Sequence, residues 1–447
     1  MTRVTVGVVI ALSFATAATV TVAGRGAALT PAQQAAARYV DAHDAEARAL
    51  LTRVVNINSG TENLAGVKRV GDVFGAEFDA LGFTTRWVDG AAWHRAGHLI
   101  ADHPGPGPRM LLIGHLDTVF APSSPFQSVQ AIDADTARGP GIIDMKGGDV
   151  VILGALKALQ AAGRLPALNV VVVMTGDEEA PGDPLSAARA PLVDAARGAA
   201  AAIGFEDGDG DPAHIVVARR GTTSWVLTVQ GTPAHSSQIF SAEVGPGAIF
   251  EAARLLNAFR EKLAAEPHLT FNPGAIVGGT TASLDPATSK GDAFGKTNVV
   301  AEHAVVTGDL RALTPQQFEH AKAAMQAIVA STSPRTSATL TFDEGYPPLA
   351  PQPGNDRLLA AFDEASRDLG LGPVTAVSPD KAGAADVSFV AGEVPMIIDA
   401  AGLKGHDDHT AGETADLRTL AVQTKRAAVL LDRIASGLVT AAGKKHD

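Results

Sequence analysis

Hydrophobic and polar positions follow one rhythm in the outer parts of this chain and another between about residues 219 and 334. Leu29 to Leu51 is Ala-rich with helical spacing and has Pro31 as a start signal. Met110–Ile113 is a short apolar run that reads as a buried strand. Val151 to Leu159 returns to helical spacing and ends at Gly163. Asn169–Met174 (NVVVVM) is continuous and β-branched, as expected of a strand buried on both faces. Such alternation predicts an α/β fold with a mostly parallel sheet. Near Arg219 the texture changes. Thr222–Gln230 (TTSWVLTVQ) alternates like a half-exposed antiparallel strand. A helix from Pro246 to about Leu263 follows. Strand-like pieces come next at Ala275–Val277 and Glu302–Leu310, then a helix from Pro315 to about Ala330. This order predicts an α+β module at 218–334, inserted between two parts of an α/β domain at 29–217 and 335–447. After Pro334 the first rhythm resumes, with a helix at Asn355–Leu369, a strand at Pro395–Asp399 and a helix at Leu420–Ile434.

Met1 to Ala23 departs from both rhythms. Arg3 precedes a long stretch of Val and Ala, with Thr21 and Ala23 placed as a signal peptidase would want them. Residues 1–28 are therefore expected to be a signal peptide, and the protein to be exported to a periplasm or secreted. No other run of about 18 apolar residues occurs, so no membrane span is expected after cleavage.

Composition narrows the chemistry. The 447 residues are 46% hydrophobic and 19% charged, enough to bury a large core. A net charge of -12 argues against nucleic acid as a partner. There is no cysteine, which removes disulfides, thiolate nucleophiles and Cys-based zinc sites together. Any metal must rest on the 13 His and 48 acidic residues.

Five segments set such residues just after apolar runs, where open α/β sheets bind ligands. They are His115-Leu116-Asp117, the turn Gly141-Ile142-Ile143-Asp144, the trio Asp177-Glu178-Glu179, the pair Glu206-Asp207, and His406-Asp407-Asp408-His409. Each has a plain reading. Asp144 suits a helix N-cap, and the others suit solvated polar loops. The Gly-rich turn lacks the spacing of a phosphate-binding loop. Together the segments form a carboxylate and imidazole set that suits zinc, or cobalt and manganese. His94, His98 and His103 fit a polar hairpin better than a site.

In this order and spacing, His115-x-Asp117, Asp144-Met145-Lys146-Gly147-Gly148, Asp177-Glu178-Glu179, Phe205-Glu206 and His409-Thr410-x-x-Glu413 resemble the M20 metallopeptidases, most nearly the glutamate carboxypeptidase branch. The family also contains succinyl-diaminopimelate desuccinylase, acetylornithine deacetylase and aminoacylase-1. The resemblance implies a zinc-exopeptidase-like catalytic domain holding two zinc ions. His115, Asp144 and Glu206 would hold one ion, and Asp144, Glu179 and His409 the other, with Asp144 bridging. Asp117 would orient His115, and Glu178 would be the general base. His406 competes with His409, but Thr410 and Glu413 favour the latter. A cis peptide is implied after Asp144.

The resemblance further implies that the insert is a dimerisation domain forming a homodimer. His235, in Gly231-Thr232-Pro233-Ala234-His235-Ser236, would reach the other subunit's site and stabilise an oxyanion. Asn298 and Arg311 would hold a substrate carboxylate, with Gly383 beside them. Two segments depart from the family pattern. Ala180-Pro181-Gly182-Asp183-Pro184 replaces the usual turn after the acids, and Gly383-Ala384-Ala385-Asp386 replaces Gly-Gly-Thr-Asp.

The expected activity is hydrolysis of an amide or peptide bond next to a free carboxylate, with a small peptide as substrate and release of a C-terminal amino acid. Dipeptidase action, or hydrolysis of N-acyl amino acids by an aminoacylase, is the alternative. An exported binding protein on a dead scaffold is the remote one.

Overall fold

The Asn169–Thr175 strand lies inside a six-stranded sheet. The structure, a computed structural model, describes residues 28–285 and 290–440, so most of the expected leader lies outside the described residues. Across the sheet the strands run Thr84–Asp89, Gly97–His103, Asn169–Thr175, Arg109–His115, Ala201–Gly204 and Ile397–Ile398. The last four are parallel to one another, and the first two add an antiparallel edge. Successive residues of a strand point to opposite faces. Accordingly Met110, Leu112, Val170 and Val172 enter one hydrophobic core, while Leu111, Ile113, Val171 and Val173 enter another. The first core is closed by Pro31–Ala42, Asp44–Val55, Leu64–Ala80, Gly147–Ala161 and Arg418–Ala435, and the second by Leu185–Ala196. The result is an α/β layered domain with a mostly parallel sheet.

Three expectations need correction. The helical stretch Leu29–Leu51 is two helices. Thr30 and Gln33 form a capping box at the first, and the chain breaks at His43, whose ring stacks on Tyr39. Gly97–His103 does form a hairpin with Thr84–Asp89, but it is largely buried rather than polar, and His98 is fully buried in it. The inserted unit's sheet reaches Phe342, eight residues past the expected return at 334.

That unit carries a four-stranded antiparallel sheet in the order Thr270–Gly279, His303–Ala312, Gly221–Gln230, Ser337–Phe342. Trp225, Leu227 and Val229 point inward from the alternating strand. They meet Leu255, Phe259, Phe318 and Met325 of the helices Gly247–Leu263 and Pro315–Val329, forming a core of their own. Two chain crossings join this unit to the α/β domain. They run side by side, bridged at Arg219–Leu349 and Thr222–Tyr346. Among the described residues, no helix is long and apolar enough to cross a membrane.

Candidate metal centre

All five segments converge at the carboxyl ends of the parallel strands. His115 ends the Arg109–His115 strand and is almost fully buried. Its Nε2 lies 3.0 Å from Asp144 Oδ1 and 3.8 Å from Glu206 Oε1. On the other side of Asp144, His409 Nε2 lies 2.9 Å from Asp144 Oδ2 and 3.1 Å from Glu179 Oε2. Two triads therefore share Asp144, and within each the potential ligand atoms lie within 4.8 Å of one another. His406 is not among them. It pairs with Thr414 in a short strand on the surface.

The loop that carries Asp144 is held from below. Gly141 takes a left-handed conformation (φ 69°), and a Cβ there would come within 2.3 Å of the Thr118 side chain. The Asp144–Met145 peptide is cis. The fully buried Glu413 carboxylate accepts the N–H groups of Gly141, Ile143 and Asp144 at 2.8, 2.9 and 3.3 Å. Lys146 Nζ, also buried, donates to the Ile57 carbonyl at 3.0 Å. Asp149, below the loop, is fully buried with both carboxylate oxygens unpartnered.

Asp117 is fully buried and ties His115 to the acidic trio. Its backbone carbonyl lies 3.1 Å from His115 Nδ1, which leaves Nε2 facing Asp144. Its carboxylate accepts from the Thr61 hydroxyl at 2.6 Å and from the N–H groups of Glu178 and Glu179 at 3.0 and 3.1 Å. The three acids of the trio then part. Asp177 turns inward to the buried Arg189, Glu178 stays free of ion pairs, and Glu179 meets His409. Arg189 binds Asp177 Oδ1 at 2.6 Å and Asp386 Oδ1 at 2.7 Å. His98 braces the same loop, with Nδ1 accepting the Gly176 N–H and Nε2 facing the Ala188 carbonyl. Across the site, Arg219 pairs with Asp399 at 2.7 Å. Asp399 in turn accepts the Glu206 N–H at 3.4 Å.

These contacts set the protonation of the bare centre. Burial works against ionisation of Asp144, but the hydrogen bonds of His115 and His409 outweigh it and hold the carboxyl low. Burial pushes Glu179 and Glu206 up to about 7. Burial, then repulsion from Asp386, pushes Glu178 well above the usual carboxylate range. Hydrogen bonds to Asp144 and Glu179 raise His409 to about 11. The donor set fits divalent cations. It crowds three carboxylates around two imidazoles, and Glu179 Oε1 is buried with no partner.

The remaining predicted residues lie away from this cluster. His235 is exposed and bonds to Ser237 at 2.8 Å. Its segment pairs with that of Asn298, whose carbonyl accepts the Ser236 N–H. Arg311 lies in the central strand His303–Ala312 of the insert sheet, between Thr222 and Thr270, with Nε 2.9 Å from Asp309. Gly383 is exposed, and its carbonyl accepts from Arg219 at 2.7 Å. Among the described residues, no hydrogen bond or ion pair links His235, Asn298 or Arg311 to either triad. The sequence reading missed Arg189, Arg219, His98 and Tyr346. It noticed Glu413 only as a spacing mark.

Comparison with known proteins places this arrangement. The model of peptidase family M20/M25/M40 matches residues 111–433. Carboxypeptidase G2 of a Pseudomonas species (strain RS-16) is 26% identical over 391 residues, covering 87% of this chain and 89% of that protein. The aminopeptidase PepT structure from Bacillus cereus superposes with a TM-score of 0.69 at 19% identity, covering 88% of this chain and 99% of that one. The Bacillus subtilis YXEP protein, described as a dinuclear metal binding peptidase, superposes with a TM-score of 0.60 at 15% identity over 89% of this chain and 99% of that one. The chain is a hydrolase that belongs to peptidase family M20/M25/M40.

Proposed function

We propose that the protein is an exported two-zinc carboxypeptidase that releases a C-terminal amino acid from a small peptide. The observation that carries this reading is the pair of triads sharing Asp144, with the half-buried Glu178, free of ion pairs, beside them. His115, Asp144 and Glu206 would hold one zinc ion, and Asp144, Glu179 and His409 the other. Cobalt or manganese would suit the same donors. When bound, the metals acidify water and polarise the scissile carbonyl.

The chain's own residues do the rest. Glu178, its affinity for a proton raised by burial, accepts the proton of the attacking water and passes it to the leaving amine. Asp117 keeps the His115 ring turned toward Asp144. Arg311 leaves Asp309 to take the substrate carboxylate as a two-pronged donor, with Asn298 and Gly383 alongside. His235 donates to the developing oxyanion from the other subunit of a homodimer. Its exposed position, away from its own centre, supports that assignment. The insert also carries exposed Ile249 and Phe250 on one helix and exposed Ile276 on the edge strand, a surface suited to a second copy. The name of the 26% identical relative supports carboxypeptidase action over the other activities of the family.

The test is a rate panel of dipeptides ending in glutamate against N-acyl amino acids, with Glu178→Gln alongside. Dipeptides are expected to be the faster group. Glu178→Gln should bind both zinc ions and lose nearly all turnover. Mixed dimers of the Glu178 and His235 variants should regain part of the activity. Full activity in Glu178→Gln would end the proposal.

A further inference from the structure

Tyr346 lies on the second crossing between the insert and the α/β domain, and its two ends bind to different places. Its backbone carbonyl accepts the Thr222 N–H at 2.9 Å, at the start of the insert's strand Gly221–Gln230. Its hydroxyl donates to the backbone carbonyl of Glu178 at 2.9 Å. The same hydroxyl accepts from Arg189 Nη2 at 2.8 Å, and that nitrogen also donates to the Asp177 carbonyl at 3.0 Å. The ring packs against Phe389 with centroids 4.8 Å apart, so the hydroxyl has little freedom to swing away.

We infer that Tyr346 is a positioning residue for Glu178: its hydroxyl fixes the carbonyl of the residue that takes the proton, and ties it to the junction with the insert. The inference rests on the reading of Glu178 as the base. The trio has two supports. Asp117 holds the N–H groups of Glu178 and Glu179 from one side. Tyr346 and Arg189 hold the carbonyls of Glu178 and Asp177 from the other. With only Asp117, the peptide following Glu178 could tilt about its N–H anchor. The Glu178 carboxylate would then move relative to the triads, while Glu179 kept its contact with His409. The other crossing has a matching grip, since Arg219 holds Asp399, which accepts the Glu206 N–H. Each crossing therefore ends on the backbone of one acid of the centre. A small misplacement of a catalytic group lowers turnover without weakening substrate binding.

The experiment uses zinc-loaded protein. Tyr346→Phe keeps the ring on Phe389 and removes only the hydroxyl. Hydrogen exchange over residues 176–182 should become about three- to tenfold faster, the range expected for one lost hydrogen bond. With the best dipeptide of the panel, kcat should fall by about the same factor while KM and zinc content stay put. In a Glu178→Gln background, Tyr346→Phe should change the residual rate no further. Unchanged exchange in Tyr346→Phe overturns the inference, as does faster exchange with unchanged kcat. An active Glu178→Gln enzyme instead overturns the reading of the base, while the exchange result still judges the hydroxyl's hold on the loop.

Discussion

Replacing Glu413 tests whether the Asp144 loop is held by a single buried carboxylate. In Glu413→Ala, the N–H groups of Gly141, Ile143 and Asp144 lose their acceptor. A buried donor left unpaired costs about 1–3 kcal/mol. The three together set an upper range of about 3–9 kcal/mol, reduced toward its lower end if water enters the space. That is comparable to the whole stability of many domains, so Glu413→Gln is the more informative variant. Oε1 serves Ile143 and Asp144, and Oε2 serves only Gly141. A Gln whose amide oxygen stands at Oε1 keeps two of the bonds and turns an NH2 toward the Gly141 N–H. The expected loss is therefore about 1–3 kcal/mol in urea unfolding of zinc-free protein. Because the loop carries the acid shared by both triads, zinc affinity should fall about 10- to 100-fold, the usual result of removing a residue that supports a ligand. Zinc titration with a competing chelator reads this directly. The Ala variant should be worse on both measures. If both variants unfold and bind zinc like the parent, the loop is held by something else.

Three further outcomes follow. Burial raises Glu179 and Glu206 to about 7, and hydrogen bonding raises His409 to about 11, so the bare centre holds protons that zinc must displace. Zinc affinity should therefore rise with pH through about 7, and an affinity flat from about pH 5.5 to 8 refutes that charge assignment. Phe250 is 56% exposed on the insert helix. Phe250→Glu should convert a dimer to a monomer in sedimentation with little change in melting, and a parent protein that is already monomeric refutes the proposed interface. Mass spectrometry of the exported protein should find a first residue between 24 and 29, and an intact Met1 in a membrane fraction would refute cleavage.

The parts of the fold that were legible have local causes. NVVVVM had to be a strand buried on both faces, and the structure buries six of the seven residues of Asn169–Thr175. TTSWVLTVQ shows the expected alternation, with Trp225, Leu227 and Val229 inward. The burial of the hairpin strand Gly97–His103 was not legible because its two His and one Asp read as polar. His98 is nevertheless satisfied inside the protein by Gly176 and Ala188, 78 and 90 residues away. Partners that distant leave no periodic mark. The break at His43 was hidden for a related reason: Ala-rich sequence favours helix on both sides, and only the capping and stacking geometry divides it.

The site shows the same split between what touches the ligand and what holds it. Short spacings such as His115-x-Asp117 are set within one chain segment, the last residue of a strand and the turn just past it, so they survive into one dimension. Asp177-Glu178-Glu179 reads as three like residues, yet the fold gives them three different surroundings. Only Asp177 meets Arg189, which sits on a helix as an unremarked basic residue. The net charge of -12 takes on a different meaning once these pairings are known. Asp177 and Asp386 share Arg189, and Asp399 is held by Arg219. Asp144, Glu179 and Glu206 are left facing two imidazoles, a deficit of positive charge that divalent cations would fill. On the proposed reading, acidity at the centre would serve to hold metal rather than to attract substrate. Under the proposed function, drawing in an anionic peptide falls to a cation of the insert, and Arg311, half-exposed beside an equally half-exposed Asp309, would exchange that partner for the substrate carboxylate.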